Sequence, residues 1–150
     1  PSLCRFFDEI EKAYNVEVEI AAHPKSEHES TPDYFGKRRV YQGCTASMIR
    51  KSKVVINRNS TSVNFAVLYN KPVVFHTSDE AESSPVMSNQ IRSMAAWLGK
   101  SPVNIDHIEG VNWSQEIEID EISYCRYKNN FIKKDGTSDF LIWQSVADRI

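Results

Sequence analysis

Features typical of extracellular, membrane-spanning and metal-dependent proteins are absent from this sequence. Its 150 residues contain three cysteines and no C-x-x-C pair, which argues against a disulfide framework or a cysteine-based zinc site. No apolar run approaches the roughly 20 residues that span a bilayer, and no signal peptide opens the chain. We therefore expect a cytoplasmic protein without a transmembrane segment.

The common signatures of several enzyme classes are also missing. The patterns GxxxxGK[ST], GxGxxG, GxSxG and HExxH do not occur. The His, Asp and Glu residues show no metal-ligand spacing, so we predict no metal. Few aromatic residues stand among the basic ones, which argues against binding to single-stranded nucleic acid.

Acidic residues are missing from a long central segment, residues 34–78. This segment carries eight lysines and arginines, although the whole chain has a net charge of −2. A concentration of positive charge favours an anionic partner. A basic face that only contacts solvent explains the same pattern, and charge alone does not separate the two interpretations.

Helical and strand periodicities alternate along the chain. The predicted helices cover 2–14, 45–52, 60–70, 86–98, 122–133 and 140–150. The predicted strands cover 16–22, 39–42, 54–56, 72–76 and 103–105. This order predicts an α/β fold with a parallel sheet covered on both faces. Because the alternation begins on a helix, we expect a strand to precede it, and we interpret residues 1–150 as one domain of a larger protein.

Polar residues follow the predicted strands, at the edge where parallel sheets bind ligands. The strongest candidates are Ser60, Thr61 and Ser62, which stand between a buried strand and an apolar helix. Hydroxyls and N–H groups at a helix start predict a phosphate site, although capping alone needs only one hydroxyl. His23 ends an earlier strand and is a candidate phosphate donor, although a lone histidine more often has a structural role. His76 is a weaker candidate of the same kind.

These residues together resemble a known family. A strand followed by His23-Pro24, and then the pattern S-x-VVI-x-x-NSTS-x-x-x-AVL-x-x-KPVVF, is similar to the C-terminal, donor-nucleotide half of GT-B glycosyltransferases. The closest likeness is to bacterial capsule and surface-polysaccharide enzymes of the Kdo- and sialic-acid-transferase type. The resemblance covers most of residues 16–80, and residues 121–150 resemble the closing helices of such proteins more loosely.

The resemblance implies a Rossmann-like, three-layer domain that binds a CMP-, UDP- or GDP-linked sugar as substrate, without a cofactor or metal. Its phosphate would contact His23, Ser60, Thr61 and Ser62. The further contacts implied are Lys25, Gly43, Thr45, Asn59, Thr77 and Glu80. An N-terminal domain outside this chain would bind the glycan or glycolipid acceptor and supply the general base, so the isolated domain is expected to be inactive. The resemblance implies no nucleic-acid partner and leaves peripheral association with the inner membrane face open.

Two other functions remain open from the sequence. The chain could be a half-domain of a nucleotide-sugar epimerase or polyol-phosphate transferase, which use phosphate sites of the same kind. It could also be a non-catalytic nucleotide-binding module.

Overall fold

The structure is a computed structural model that describes residues 2–23, 25 and 34–138. The described residues form five strands: β1 (Ile20–Ala22), β2 (Val40–Gln42), β3 (Val55–Asn57), β4 (Val73–Thr77) and β5 (Val103–Asn104). They also form seven α-helices: α1 (Ser2–Tyr14), α2 (Thr45–Lys51), α3 (Val63–Leu68), α4 (Asp79–Ser83), α5 (Pro85–Trp97), α6 (Trp113–Glu116) and α7 (Glu121–Tyr127). A π-helical turn, Lys128–Ile132, continues α7.

The strands form two parallel sheets. In the first sheet β1 pairs with β2, and Ile20 lies opposite Val40. The second sheet has the order β3-β4-β5, with Val55 opposite Val73 and His76 opposite Val103. Parallel neighbours need crossover connections, which the intervening helices provide. The predicted α/β class with parallel strands is confirmed, but the strands form two sheets rather than the single sheet predicted.

Helices cover both faces of the three-stranded sheet. Val73 and Phe75 of β4 pack into a cluster with residues of α3, α5 and α7. Val74, between them, packs on the opposite face against the apolar stripe of α1. This stripe is the predicted one, and its buried members are Phe6, Phe7, Ile10 and Tyr14. Alternation of side chains along a strand explains why three consecutive residues of β4 are all fully buried.

The closing segment packs through two buried tyrosines. The Tyr124 hydroxyl donates to the Lys71 carbonyl (2.8 Å), and the Tyr127 hydroxyl lies 3.0 Å from Asn64 Oδ1. Burial raises the pKa of both phenols, so they remain protonated hydrogen-bond donors. The predicted helix at 122–133 is therefore real, but it changes to a π-helical turn after Tyr127. The predicted helix at 140–150 lies outside the described residues.

Several predicted boundaries were wrong. The first strand covers only Ile20–Ala22 rather than 16–22, and the helix predicted from residue 60 begins at Val63. Helices α4 and α6 were not predicted, and each has five residues or fewer. The predicted stop of α5 at Gly99 is confirmed, since this residue has a φ of 69° and a side chain there would lie 2.7 Å from Asp120.

Candidate functional site

A large cleft lies between the two sheets. Its volume is about 1310 Å³, and its walls include residues 16–23, which contain β1, and 51–58, which contain β3. The carboxyl ends of both strands open into it, as do the helix α2 start at Thr45 and the Ser60-Thr61-Ser62 segment. Five of the predicted site residues therefore line this one cleft: His23, Thr45, Ser60, Thr61 and Ser62.

The hydroxyl-rich segment is a turn that a buried asparagine holds in place. Asn57 is 3% exposed; its Oδ1 accepts from the Ser60 N–H (2.9 Å) and its Nδ2 donates to the Ser60 carbonyl (3.0 Å). The carbonyls of Ser60, Thr61 and Ser62 then accept from the first N–H groups of α3. Because Asn57 ends β3, the turn has a fixed position relative to the sheet.

The hydroxyls of this turn do not cap the helix. Ser62 occupies the N-cap position of α3 but, within the described structure, makes no capping bond through its side chain. Ser60 Oγ accepts from the Ser62 N–H (3.2 Å), which leaves the Ser60 hydroxyl proton able to donate elsewhere. Thr61 is exposed, and its side chain lines the cleft. The phosphate site predicted at a helix start is therefore a turn that precedes a short helix.

His23 lies exposed at the end of β1, where the sequence predicts it. Its Nδ1 accepts from the Lys25 N–H (3.1 Å), so a neutral imidazole ring carries its proton on Nε2. The Gln42 side chain lies 3.5 Å from the His23 carbonyl, which ties the end of β1 to β2. The His23 ring therefore lies at the carboxyl edge of the two-stranded sheet.

Two further residues line the cleft: Arg58, which the sequence analysis did not assign to the site, and His76, which it gave only as a weaker candidate. Arg58 follows β3 directly, and His76 lies in β4. Within the described part of the chain, Arg58 Nε and His76 Nδ1 are buried and have no hydrogen-bond partner. Both residues also line a second cavity of about 330 Å³ at the same sheet edge. Buried polar atoms without a partner are rare in proteins and mark sites where a ligand or water is expected.

The environment of His76 keeps its ring neutral. Burial, together with the positive charge of Arg58, lowers the pKa of His76 to about 4. Its ring lies 5.5 Å from the Phe6 ring on the α1 face of the sheet. An arginine directly after an apolar strand is the sequence signal that could have identified Arg58.

The other predicted contacts are not all at the cleft. Glu80 is exposed and lines the second cavity with Arg58 and His76. Lys25, Gly43 and Asn59 are exposed and do not line either cavity. Thr77 is 3% exposed with a buried hydroxyl. Strand alternation places Thr77 on the face of the sheet opposite His76. Contrary to the prediction, Thr77 therefore does not line the cleft.

The basic segment is not uniformly positive in three dimensions. The Arg38 guanidinium is 2.6 Å from both Asp8 and Glu11 of α1, and it lowers the pKa of Glu11. Arg39 pairs with Glu17 at 2.9 Å, and Lys53 donates to the Tyr14 carbonyl. These bonds attach the basic segment to α1 and to the chain just before β1. Arg58, in contrast, faces the cavities.

The described residues contain neither a candidate membrane span nor a cluster of metal ligands. No helix there has the length and apolar character needed to cross a membrane. In the same part of the chain, no three His, Cys, Asp or Glu side chains converge as a metal site would require.

Comparisons with known proteins gave no match: no protein-family model, curated protein or solved structure matches the chain. The resemblance to GT-B donor domains therefore stays a prediction, and the geometry of the cleft is the basis for the functional inference.

Proposed function

We propose that this domain binds the nucleotide-sugar donor of a metal-independent glycosyltransferase of the GT-B type, acting in bacterial surface-polysaccharide synthesis. The observation that carries the proposal is the turn at Ser60-Thr61-Ser62, whose hydroxyls are not used for capping within the described structure. Buried Asn57 fixes this turn beside the cleft that His23 and Arg58 also line. The Rossmann-like arrangement is part of the same proposal.

The chemistry of the turn suits a phosphate group. Hydroxyl donors, an imidazole N–H and a guanidinium are groups that bind phosphate oxygens, and bonds to a charged acceptor are about twice as strong as neutral ones. The main-chain N–H group of Thr61 has no hydrogen-bond partner among the described residues, so it adds a potential donor beside the cleft.

In the proposed reaction, these donors stabilise the leaving nucleotide. Negative charge accumulates on the phosphate as the bond to the sugar breaks, and donors already fixed in position lower the energy of that state. Asn57 supplies the fixation because its side chain bonds hold the turn before any ligand arrives. The general base and the acceptor site belong, in this proposal, to another domain.

Nucleotide binding to the full chain tests the proposal. We expect calorimetry to detect CMP, UDP or GDP but not the corresponding nucleosides, which lack phosphate. Replacing Ser60 and Thr61 together by alanine should weaken nucleotide binding by about 10- to 100-fold, the size expected for lost bonds to a charged group.

A matched control removes two hydroxyls elsewhere. Ser93 and Ser114 are exposed on α5 and α6, and their joint replacement by alanine should leave nucleotide affinity unchanged. Equal affinity for nucleotides and nucleosides, or an unchanged affinity in the Ser60/Thr61 variant, would exclude the turn as a phosphate site. Tight binding without any preference for sugar-linked nucleotides would instead favour a nucleotide-binding module.

A further inference from the structure

The two sheets each have an inner edge with no strand beside it. In the described structure β1 pairs only with β2, and β3 only with β4. The Ile20 N–H bonds to the Arg39 carbonyl on the β2 side, and the Val55 N–H bonds to the Pro72 carbonyl on the β4 side. Because alternate residues of a strand direct their main chain to opposite sides, Ala21 and Ile56 direct theirs toward the cleft.

Four apolar residues in β1 and β3, or in the chain just before these strands, are only partly covered. Val18 and Ile20 on one side, and Val54 and Ile56 on the other, are partly buried against the core cluster that contains α1. Parallel sheets normally bury such residues completely, on both faces. Unpaired strand edges that face each other across an apolar cleft are a template for a further strand.

The direction of α1 indicates how such a strand would connect. Near its start, Arg5 bonds to the Asp106 carbonyl (3.2 Å) and to Glu109 (3.2 Å), beyond the carboxyl end of β5. At its end, the Tyr14 carbonyl accepts from Lys53, just before the amino end of β3. Helix α1 therefore runs from the carboxyl edge of the sheets to the amino edge, opposite to the strands, as the helix of a β-α-β crossover does.

We propose that the cleft takes one extended, apolar polypeptide strand, parallel to β1 and β3, that leads directly into α1 at Ser2. The strand order becomes β2, β1, the added strand, β3, β4, β5, which is the order of the doubly wound α/β fold. The added strand pairs with Ala21 on one side and Ile56 on the other. The added strand lies between β1 and β3, whereas the proposed phosphate contacts lie beyond the carboxyl ends of these strands, so this inference does not depend on nucleotide binding.

Hydrogen exchange on an extended chain tests the proposal. The full chain is extended before α1 by about six Val and Ile residues, the usual strand length, and a two-residue turn. In the matched control, two central residues of the extension are proline, which cannot donate to a sheet. We expect the amides of Ala21 and Ile56 to exchange at least about 10-fold more slowly with the Val/Ile extension than with the proline control.

Exchange of Ala21 and Ile56 at equal rates in both extended chains overturns the proposal. Where the Val/Ile chain does not fold, the same six-residue peptide is added in trans to the unextended chain. Slower exchange at Ala21 and Ile56 then supports the proposal, and unchanged exchange overturns it. If light scattering shows that the unextended chain is a dimer, and the amides of Ala21 and Ile56 already exchange slowly in it, a second copy occupies the cleft. That result also overturns the proposal.

Discussion

At the scale of single residues, the roles of polar side chains follow from what surrounds them rather than from their type. Arg38 and Arg58 both belong to the basic segment, yet Arg38 is 9% exposed and pairs with two carboxylates, whereas Arg58 borders two cavities. His23 is exposed and His76 is largely buried, although each stands at the end of an apolar strand. A functional interpretation therefore has to come from contacts.

Replacing His76 by glutamine should change how stability depends on pH. The folded-state pKa of about 4 lies below the ordinary 6.5, so between these values the unfolded chain binds a proton that the folded chain does not. Wild-type stability therefore falls as the pH drops from 6.5 to 4, by up to about 3 kcal/mol. Urea unfolding across this range should show a smaller loss for the variant.

The control for this prediction is His107→Gln, which changes a histidine 68% exposed. It should keep the wild-type loss of stability that comes from His76. Equal pH slopes for His76→Gln and the wild type would mean that His76 does not hold a depressed pKa in the folded protein.

At the scale of elements, short helices and turns depend on side-chain bonds that supplement weak local preference. Ser78 is the N-cap of α4, and its hydroxyl accepts from the Ala81 N–H. Asp120 is the N-cap of α7, and its carboxylate accepts from the N–H groups of Ile122 and Ser123. Helix α3 has no such cap among the described residues. The Asn57 bonds and the three turn carbonyls define its start instead.

The Asn57→Ala variant should destabilise the protein and the turn together. Loss of the side chain removes the two hydrogen bonds that the buried Asn57 amide makes to the Ser60 main chain, which costs about 1–3 kcal/mol. Chemical unfolding measures this cost. Asn89→Ala, on the exposed face of α5, is the control and should change stability by no more than about 0.5 kcal/mol. A loss in Asn57→Ala no larger than that of the control would show that the turn holds without Asn57.

At the scale of the whole molecule, the charge pattern combines structural pairing with a local positive site. Paired bases such as Arg38 and Arg39 attach the basic segment to the acidic residues of α1 and of the segment before β1. Arg58 and the exposed Arg50 and Lys51 remain as cations outside the recorded ion pairs of the described residues. The net charge of −2 hides this division.

Nucleotide affinity should fall with salt, because mobile ions screen exposed charges. Raising salt from about 0.05 M to about 0.5 M shortens the screening length several-fold, so calorimetry should give a several-fold weaker nucleotide affinity. Arg58→Gln should reduce this salt dependence more than Arg39→Gln, since Arg39 already pairs with Glu17. Affinity that is the same at both salt concentrations would exclude electrostatic attraction by the basic segment.

The sequence by itself determined the fold class and most of the elements. Local periodicity predicts the apolar stripe of α1 and the buried strands β3 and β4. The backbone freedom of glycine predicts the end of α5 at Gly99. The same local logic placed His23, Thr45 and residues 60–62 at strand ends, and all of them line the cleft, because the ends of parallel strands converge on one edge.

Only the tertiary structure decided which polar groups meet and how they are paired. The Asn57 bonds to Ser60, the buried nitrogen atoms of Arg58 and His76, and the inward position of Thr77 depend on the register of β4 and on helices packed from both faces. The open edges at Ala21 and Ile56 likewise become visible only when both sheets are in place. Periodicity predicts which face of an element is apolar, but the partner of each polar atom comes from residues distant in the chain.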